Sequence, residues 1–210
     1  CANATRVNEM SERFFVDSPV AAPRVSLQGP EAHHLARVMR AEEGDRVVLF
    51  DGSGREFLAE VLRAGRSHVE LEVIMSRVVD RELPNELTLG VAFPRGDRQR
   101  WLVEKAVELG VAQLVPLITA RSVVVPGASV SARLGRAVIE ASKQCGRNRL
   151  LRISQPQSLA SYLAAAPAAA SRLLAHPLPP GEPPPLRGTD AGQPGGDRSW
   201  QRRDERPVFV

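Results

Sequence analysis

The chain has 210 residues, of which 43% are hydrophobic, and it carries 28 Lys and Arg against 24 Asp and Glu. This length and apolar content suffice for two modest domains with buried cores. Two cysteines exclude a disulfide framework and show no metal-ligand spacing, so we expect no metal site and a reducing, cytoplasmic location. No apolar run approaches the ~18 residues of a membrane span, so we expect no membrane-spanning segment.

Positive charge is concentrated in the middle of the chain. Residues 86–155 hold 11 Lys and Arg against 5 Asp and Glu, whereas residues 1–85 hold 11 against 14. A basic segment of this kind indicates an anionic partner such as RNA. A solvated basic face is the alternative interpretation.

From Arg13 to about Met75 short runs of alternating apolar and polar residues predict β-strands. These runs are RFFV, RVSL, DRVVLF, REFLAEVLRA and HVELEVIM, and the DGSG sequence at 51–54 predicts a tight turn. One helix, predicted at 29–40, interrupts the strands and has Pro30 in its first turn. The expected fold of this part is a small β-barrel or sandwich.

The polar segment around residues 80–86 predicts a boundary between domains at 10–80 and 86–210. The continuous apolar run at 87–93 predicts a strand covered on both faces, and the amphipathic segment at 98–110 predicts a helix that ends at Gly110. Strands and helices then alternate, which predicts a mostly parallel α/β sheet. The remaining predicted elements are strands at 112–119, 149–154 and 171–175 and helices at 130–145 and 158–165.

Three further segments differ from this pattern. Residues 1–9 precede Met10 and read as an upstream extension, while 177–207 is rich in Pro, Gly and charge and predicts a flexible loop. Residues 207–210 then begin a new buried strand. We therefore expect the sequence to stop before the final elements of its sheet.

The predicted helix at 98–110 carries charged residues opposite its apolar stripe. Leu102, Ala106 and Leu109 form the stripe, and Lys105 and Glu108 lie on the wetter side. An ordinary surface ion pair between these two residues and a place in a ligand pocket are both open interpretations.

The predicted helix at 130–145 has a more extensive charged stripe. Arg136, Lys143 and Arg147 recur on one face, and Gln144 lies beside them. Together with Arg121 and Arg149, these cations could hold phosphates, although a solvated helix face also explains the stripe. The chain has no Gly-rich phosphate loop, Ser-His-Asp order or metal-ligand set.

Several segments resemble the RsmE family of ribosomal RNA methyltransferases. They are RFFV, HHLARVMR, GDRVVLFDGSG, FPRGDRQRWLVEKAVELGVAQLVPLITARS, EASKQCGRNR and LLAHP. The resemblance implies a PUA-like β-barrel followed by a SPOUT α/β domain whose C-terminus forms a trefoil knot. It also implies a homodimer that uses S-adenosyl-L-methionine to methylate N3 of a uridine in small-subunit (16S) rRNA.

The resemblance also guides the assignment of site residues. The loop Ala175, His176 and Pro177 is expected to contact S-adenosylmethionine, and Lys105, Glu108 and Gln144 are candidates for the pocket. The family's GPEGG-type loop and the Leu-Arg-rich segment after it have no counterpart here, so most of the knot is expected to be missing. We therefore predict weak or no cofactor binding by these 210 residues. The expected RNA-binding residues are Arg121, Arg136, Lys143, Arg147 and Arg149.

A second function, from a different class, stays open at this point. A non-catalytic RNA-binding protein could keep the barrel and the basic face without a methyl-donor site.

Overall fold

The computed structural model forms two β-sheets, each with its own hydrophobic core. The predicted site residues Arg121, His176 and Pro177 and the predicted loop at 177–207 lie outside the described residues. The residues that the structure describes are 12–65, 67–120, 122, 127–167, 170–175 and 208–209.

The first sheet is a five-stranded mixed sheet, and its strands confirm the predicted N-terminal β-rich part. The strand order is β1-β3-β4-β5-β2, with β1 parallel to β3 and all other neighbours antiparallel. Alternate residues such as Leu49, Phe57 and Leu71 face one core because successive side chains of a strand point to opposite sides. The strands are β1 Arg13–Phe15, β2 Arg24–Gln28, β3 Arg46–Phe50, β4 Arg55–Ala64 and β5 His68–Val78.

The predicted helix at 29–40 is present but changes its type halfway. Helix α1 (Gly29–His33) continues as a π-helical turn over His34–Val38. Leu35 is fully buried in this turn, and the ring of His34 packs against Phe14 with centroids 5.7 Å apart. The helical segment thereby covers the core of the first sheet.

The second sheet is parallel at every described pairing, as the alternation of strands and helices predicts. Its strand order is β10-β11-β6-β7-β8, and β9 continues the β8 side of β7. The strands are β6 Leu87–Val91, β7 Gln113–Ile118, β8 Arg152–Ile153, β9 Gln157–Ser158, β10 Ser171–Arg172 and β11 Val208–Phe209, and the helices are α2 Arg98–Glu108, α3 Ala128–Cys145 and α4 Leu159–Ala165.

Helix α2 packs on α3 through a stripe that shares only Ala106 with the predicted Leu102, Ala106 and Leu109, because Leu102 is only partly buried. Val103, Ala106 and Val107 are buried, but Leu109 is 69% exposed. The helix ends at Glu108, and Gly110 turns the chain with a φ of 82°. Leu109 therefore no longer follows the helical spacing that would direct it into the core.

The parallel connections place opposite ends of the helices at opposite edges of the sheet. Helices α2 and α3 begin after the carboxyl ends of β6 and β7, so their first turns lie at the carboxyl edge. Their last turns lie at the amino edge, where the Ala112 N–H donates to the Leu87 carbonyl and the Arg152 N–H donates to the Ala112 carbonyl. This arrangement decides which predicted site residues can act together.

Candidate functional site

The five-stranded sheet β1–β5, called the half-barrel from here on, contacts the second sheet at the C-terminal end of α3. The Gly54 N–H donates to the Asn148 carbonyl at 3.2 Å, which joins the predicted DGSG turn to the second sheet. Arg13 Nη2 donates to Asn148 Oδ1 at 2.6 Å, and Arg81 Nη1 donates to the Gly146 carbonyl at 2.8 Å. These bonds lie at the amino edge of the parallel sheet.

Lys143 belongs to this junction, which corrects its prediction as an exposed RNA-binding residue. Its Nζ donates to both carboxylate oxygens of Glu31 on α1, at 3.1 and 3.2 Å, and lies 5.4 Å from the centre of the Phe14 ring. The side chain is only 7% exposed. A buried, paired ammonium is unavailable to a phosphate without breaking this pair.

Arg147 requires the same correction. The helix ends at Cys145, and Gly146 adopts a left-handed conformation with a φ of 82°, so Arg147 leaves the face of α3 on which it was predicted. Its side chain is 4% exposed and forms an ion pair with Glu82. Its Nη1 also donates to the carbonyls of Val107 and Val111 at 3.1 and 3.0 Å. Arg147 therefore holds the end of α2 and does not extend a charged stripe.

Arg136 and Arg149 are exposed, but they lie on different parts of the surface. The guanidinium of Arg149 covers the DGSG turn, since a Cβ added to Gly54 would lie 3.1 Å from Arg149 Nε. Arg136 lies halfway along α3 and borders the cleft between α2 and α3. RNA contact by these two residues stays a prediction.

The pocket candidates lie at the amino edge, away from the edge where parallel sheets bind their ligands. Lys105 and Glu108 form an ion pair near the end of α2, with both side chains nearly half exposed. Gln144 is exposed in the last turn of α3. The helices run antiparallel to the strands, which takes these three residues to the amino edge, and their place in a ligand pocket stays a prediction.

A cleft of about 270 Å³ between α2 and α3 was missed by the sequence analysis. Its lining includes Gly96, Arg100, Arg133, Arg136 and Glu140. The run of arginines in FPRGDRQR was the feature of the sequence that pointed to this cleft. The helical pattern alone did not show that these arginines lie at the carboxyl edge of the sheet. The exposed arginines around the cleft and the first turns of the two helices are Arg95, Arg98, Arg100, Arg133 and Arg136.

A buried glutamine fixes the loop at one end of this cleft. Gln99 is 4% exposed, and its Nε2 donates to the Pro94 carbonyl at 3.0 Å. Its Oε1 accepts from Arg133 Nη2 at 3.1 Å, so the loop at 94–97 is tied to α3. The arginines of the two helices are thereby held beside each other.

Three arginines, Arg100, Arg133 and Arg136, and two acidic residues, Asp97 and Glu140, line this cleft, and the excess of positive charge favours an anion. Neither α2 nor α3 has an acidic residue in its first turn, where the helix dipole presents a partial positive charge. Arg100 is paired with Glu104 at 2.6 Å, whereas Arg136 has no hydrogen bond or ion pair within the described ranges. Free guanidinium groups beside helix N-termini are suited to bind phosphate.

Apolar surface is also exposed at the carboxyl edge. Ile118 ends β7, and Leu173 and Leu174 follow β10, with 43%, 54% and 88% of their surface exposed. Ala175, the described member of the predicted cofactor loop, comes directly after them and is exposed. Exposed aliphatic side chains at this edge are suited to contact an apolar part of a ligand, since ligand sites are mostly apolar.

No group of three or more His, Cys, Asp or Glu residues that could hold a metal occurs within the described residues. Over the same part of the chain, no helix is both long and apolar enough to cross a membrane.

The half-barrel, the parallel sheet and the arginine cleft define an α/β protein with an arginine-lined cleft and an attached β-domain. A family model described as RNA methyltransferase domain matches residues 81–189, and one described as RNA methyltransferase PUA domain matches residues 27–74. The first match covers just over half of the chain. The chain therefore belongs to the RNA methyltransferase family, with a PUA domain preceding the methyltransferase domain.

Curated relatives agree with the family assignment and confirm the resemblance to RsmE. Ribosomal RNA small subunit methyltransferase E of Bacillus subtilis is 32% identical over 160 residues, which cover 72% of this chain and 62% of the relative. The protein of that name from Synechocystis is 29% identical over 165 residues, which cover 75% of this chain and 54% of the relative. The chain thus spans little more than half the length of these relatives.

Two solved structures share the fold. Ribosomal RNA small subunit methyltransferase E of Neisseria gonorrhoeae, bound to S-adenosylmethionine, aligns with a TM-score of 0.72 and 28% identity. The alignment covers 78% of this chain and 68% of that chain. A methyltransferase structure from Legionella pneumophila, in complex with the same cofactor, aligns with a TM-score of 0.70 and 28% identity over 77% and 69% of the two chains.

Proposed function

We propose that this protein methylates N3 of a uridine in small-subunit (16S) ribosomal RNA and takes the methyl group from S-adenosylmethionine. The observation that carries the proposal is the match of both family models to one chain, in the order of the two observed sheets. The relatives that carry the name of a small-subunit rRNA methyltransferase support the substrate.

The target atom sets requirements that the observed surface can meet in part. Uridine N3 carries a proton and faces the partner base in a duplex, so the base must be unpaired or flipped out before it reacts. Cations at the carboxyl edge could hold the flanking phosphates and present the base to that edge. The proposed cofactor supplies an electrophilic methyl group, and the chain's own residues supply position.

Arg133 and Arg136, which line the cleft between α2 and α3, are our proposed phosphate-binding residues. Both are exposed, and the Gln99 hydrogen bond orients Arg133. Arg149, on the half-barrel side, would extend the contact along the RNA, and Arg121 stays a candidate from the sequence. Ala175, with His176 and Pro177, remains the proposed cofactor loop.

The proposal includes the assembly and the location of the protein. A homodimer that works in the cytoplasm follows from the resemblance to the RsmE family. Small-subunit rRNA, free or in the assembled small ribosomal subunit, would be the partner.

The decisive experiment compares small-subunit rRNA from cells with and without the gene for this protein. A methyl group on N3 blocks base pairing, so reverse transcriptase stops at the modified uridine. We expect one stop to disappear on deletion and to return with the reintroduced gene. An identical stop pattern in both strains would contradict the proposal, and rRNA binding without any lost stop would favour the non-catalytic RNA-binding protein.

A further inference from the structure

A single buried carboxylate collects three arginines at the junction of the two sheets. Glu56 on β4 accepts from Arg13 Nη1 at 2.8 Å, from Arg81 Nη1 at 3.1 Å and from Arg77 Nη2 at 2.6 Å. Its side chain is only 4% exposed. Burial raises the pKa of this carboxyl group, but hydrogen bonds from the three arginines outweigh burial and lower the pKa to about 2.

Two of the three arginines connect Glu56 to the second sheet. Arg13 Nη2 donates to Asn148 Oδ1 at 2.6 Å and to the Arg147 carbonyl at 3.3 Å. Arg81 Nη1 donates to the Gly146 carbonyl at 2.8 Å. These acceptors follow the C-terminal end of α3, where positive side chains satisfy free carbonyls and the helix dipole.

The third arginine offers a contrast within the same cluster. Arg77 donates to Glu56 through Nη2 and Nε, and among the described residues it has no other hydrogen bond or ion pair. Its side chain is 61% exposed, compared with 13% for Arg13. Arg77 thus shares the carboxylate without contacting the second sheet.

We propose that Glu56 is a positioning residue that, through Arg13 and Arg81, fixes the half-barrel on the methyltransferase sheet so that one RNA contacts both. This inference rests on the proposed function for its RNA, but the junction itself is tested independently. Without the carboxylate, the two guanidinium groups would repel each other at the end of α3 and lose the acceptor that orients them.

The first measurement is hydrogen exchange of the Gly54 amide, which donates across the junction to the Asn148 carbonyl. In Glu56→Gln we expect this amide to exchange at least ~10-fold faster, because the junction opens locally. The Val61 and Ala112 amides, bonded within the first and second sheets respectively, should keep their rates.

Arg77→Ala is the matched control, because it removes an equally short ion pair without removing a contact to the second sheet. Its Gly54 amide should exchange at the wild-type rate. An unchanged rate in Glu56→Gln, or an equal increase in Arg77→Ala, would overturn the proposal. If Glu56→Gln does not fold, Arg81→Gln serves in its place, with the same expected increase and the same contradicting result.

The second measurement is affinity for small-subunit rRNA transcribed in vitro. Loss of the negative charge in Glu56→Gln would by itself tighten RNA binding. If the half-barrel also loses its fixed position on the second sheet, we expect the affinity to fall by ~10-fold instead. Arg77→Ala should weaken binding by less than half of this factor. A loss of affinity in Arg77→Ala, with unchanged or tighter binding in Glu56→Gln and unchanged Gly54 exchange, would mean that the arginines bind phosphate directly and would refute the positioning role.

The two proposals fail in different ways. If the wild-type chain does not bind the transcript at low salt, the result counts against the proposed function. The exchange of Gly54 still decides whether Glu56 holds the junction.

Discussion

At the scale of single residues, two basic side chains of the C-terminal half are buried in ion pairs with carboxylates of the N-terminal half. Lys143 and Arg147 satisfied every requirement of an exposed stripe, yet each is buried against a carboxylate that is distant in sequence, Glu31 and Glu82 respectively. Helical spacing describes one element and contains no information about such contacts. The left-handed Gly146 ends α3 and turns Arg147 away from the face of the helix, which helical spacing does not describe.

Arg147 provides a first prediction. We expect Arg147→Ala to lower the free energy of unfolding by about 3 to 5 kcal/mol, because Glu82 and two carbonyls lose their buried partner. Urea denaturation measures this change. Arg149→Ala, two residues away and exposed, should change stability by no more than about 0.5 kcal/mol. Equal losses in both variants would contradict the assigned role.

The carboxyl group of Glu56 predicts how stability depends on pH. Its pKa is about 2 in the folded protein and 4.5 ordinarily, so the unfolded state binds the proton more tightly. Ionised Glu56 therefore contributes about 3 kcal/mol to the free energy of unfolding. This contribution is complete above pH 4.5 and is lost as the pH falls towards 2. Urea denaturation at a series of pH values should show a shallower acid dependence for Glu56→Gln. The same dependence of stability on pH in the wild-type protein and in Glu56→Gln would argue against a lowered pKa of Glu56.

At the scale of elements, periodic patterns predicted the strands and helices well, because burial on one face enforces the period. The sequence did not predict which edge of the sheet each helix end reaches. This is why Lys105, Glu108 and Gln144 were grouped with the pocket, although the parallel topology takes them to the amino edge. The arginines at the start of α2 and α3 reach the other edge.

The cleft between α2 and α3 should dominate salt-sensitive RNA binding. If Arg133 and Arg136 each bind a phosphate, the double substitution to Ala should reduce the slope of log affinity against log salt by about 1.5. Fluorescence anisotropy with small-subunit rRNA over a range of salt measures this slope. Arg46→Ala with Arg152→Ala, which removes two exposed arginines elsewhere, is the control. The same reduction of the slope in the control would mean that the cleft is an ordinary solvated surface and has no special role in RNA binding.

Two glycines, one in a crowded place and one in an open place, are expected to respond oppositely to substitution by alanine. Gly90 lies on β6, which packs closely against α4. An added Cβ at Gly90 would lie 2.6 Å from Tyr162 Cε1, so Gly90→Ala should cost about 1 to 3 kcal/mol of unfolding free energy. Gly135, inside α3, has nothing within 4 Å of the same position. Gly135→Ala should therefore stabilise the protein by up to about 1 kcal/mol. Thermal unfolding distinguishes these signs, and a stabilised Gly90→Ala would contradict the packing.

At the scale of the whole molecule, the two sheets and their order were predicted correctly, while the junction between them was not. The predicted domain ranges, 10–80 and 86–210, stay a prediction. The contacts of the junction join residues far apart in sequence, such as Lys143 with Glu31 and Arg13 with Asn148. The pattern of residues within one segment contains no information on which distant residue a side chain will contact. Neither member of such a pair has a distinctive sequence context by itself.

The junction predicts strong coupling between the two domains. A double-mutant cycle on Lys143 and Glu31, with Ala at each position, should give an interaction energy of about 1 to 3 kcal/mol in urea denaturation. The exposed pair Lys105 and Glu108 is the control and should give less than about 0.5 kcal/mol. A coupling near zero for the first pair would mean that the sheets do not stabilise each other there.

The position of β11 has a consequence for how the protein folds. This strand lies between β10 and β6 in the sheet, and Val208 pairs with Leu87, more than a hundred positions earlier in the chain. Pairing across such a separation is slow, because the loop entropy is lost before the contacts form. The strands β6, β7 and β8 are close in sequence and can assemble first. During synthesis, the half-barrel and the strands β6, β7 and β8 can thus fold before β11 has been made.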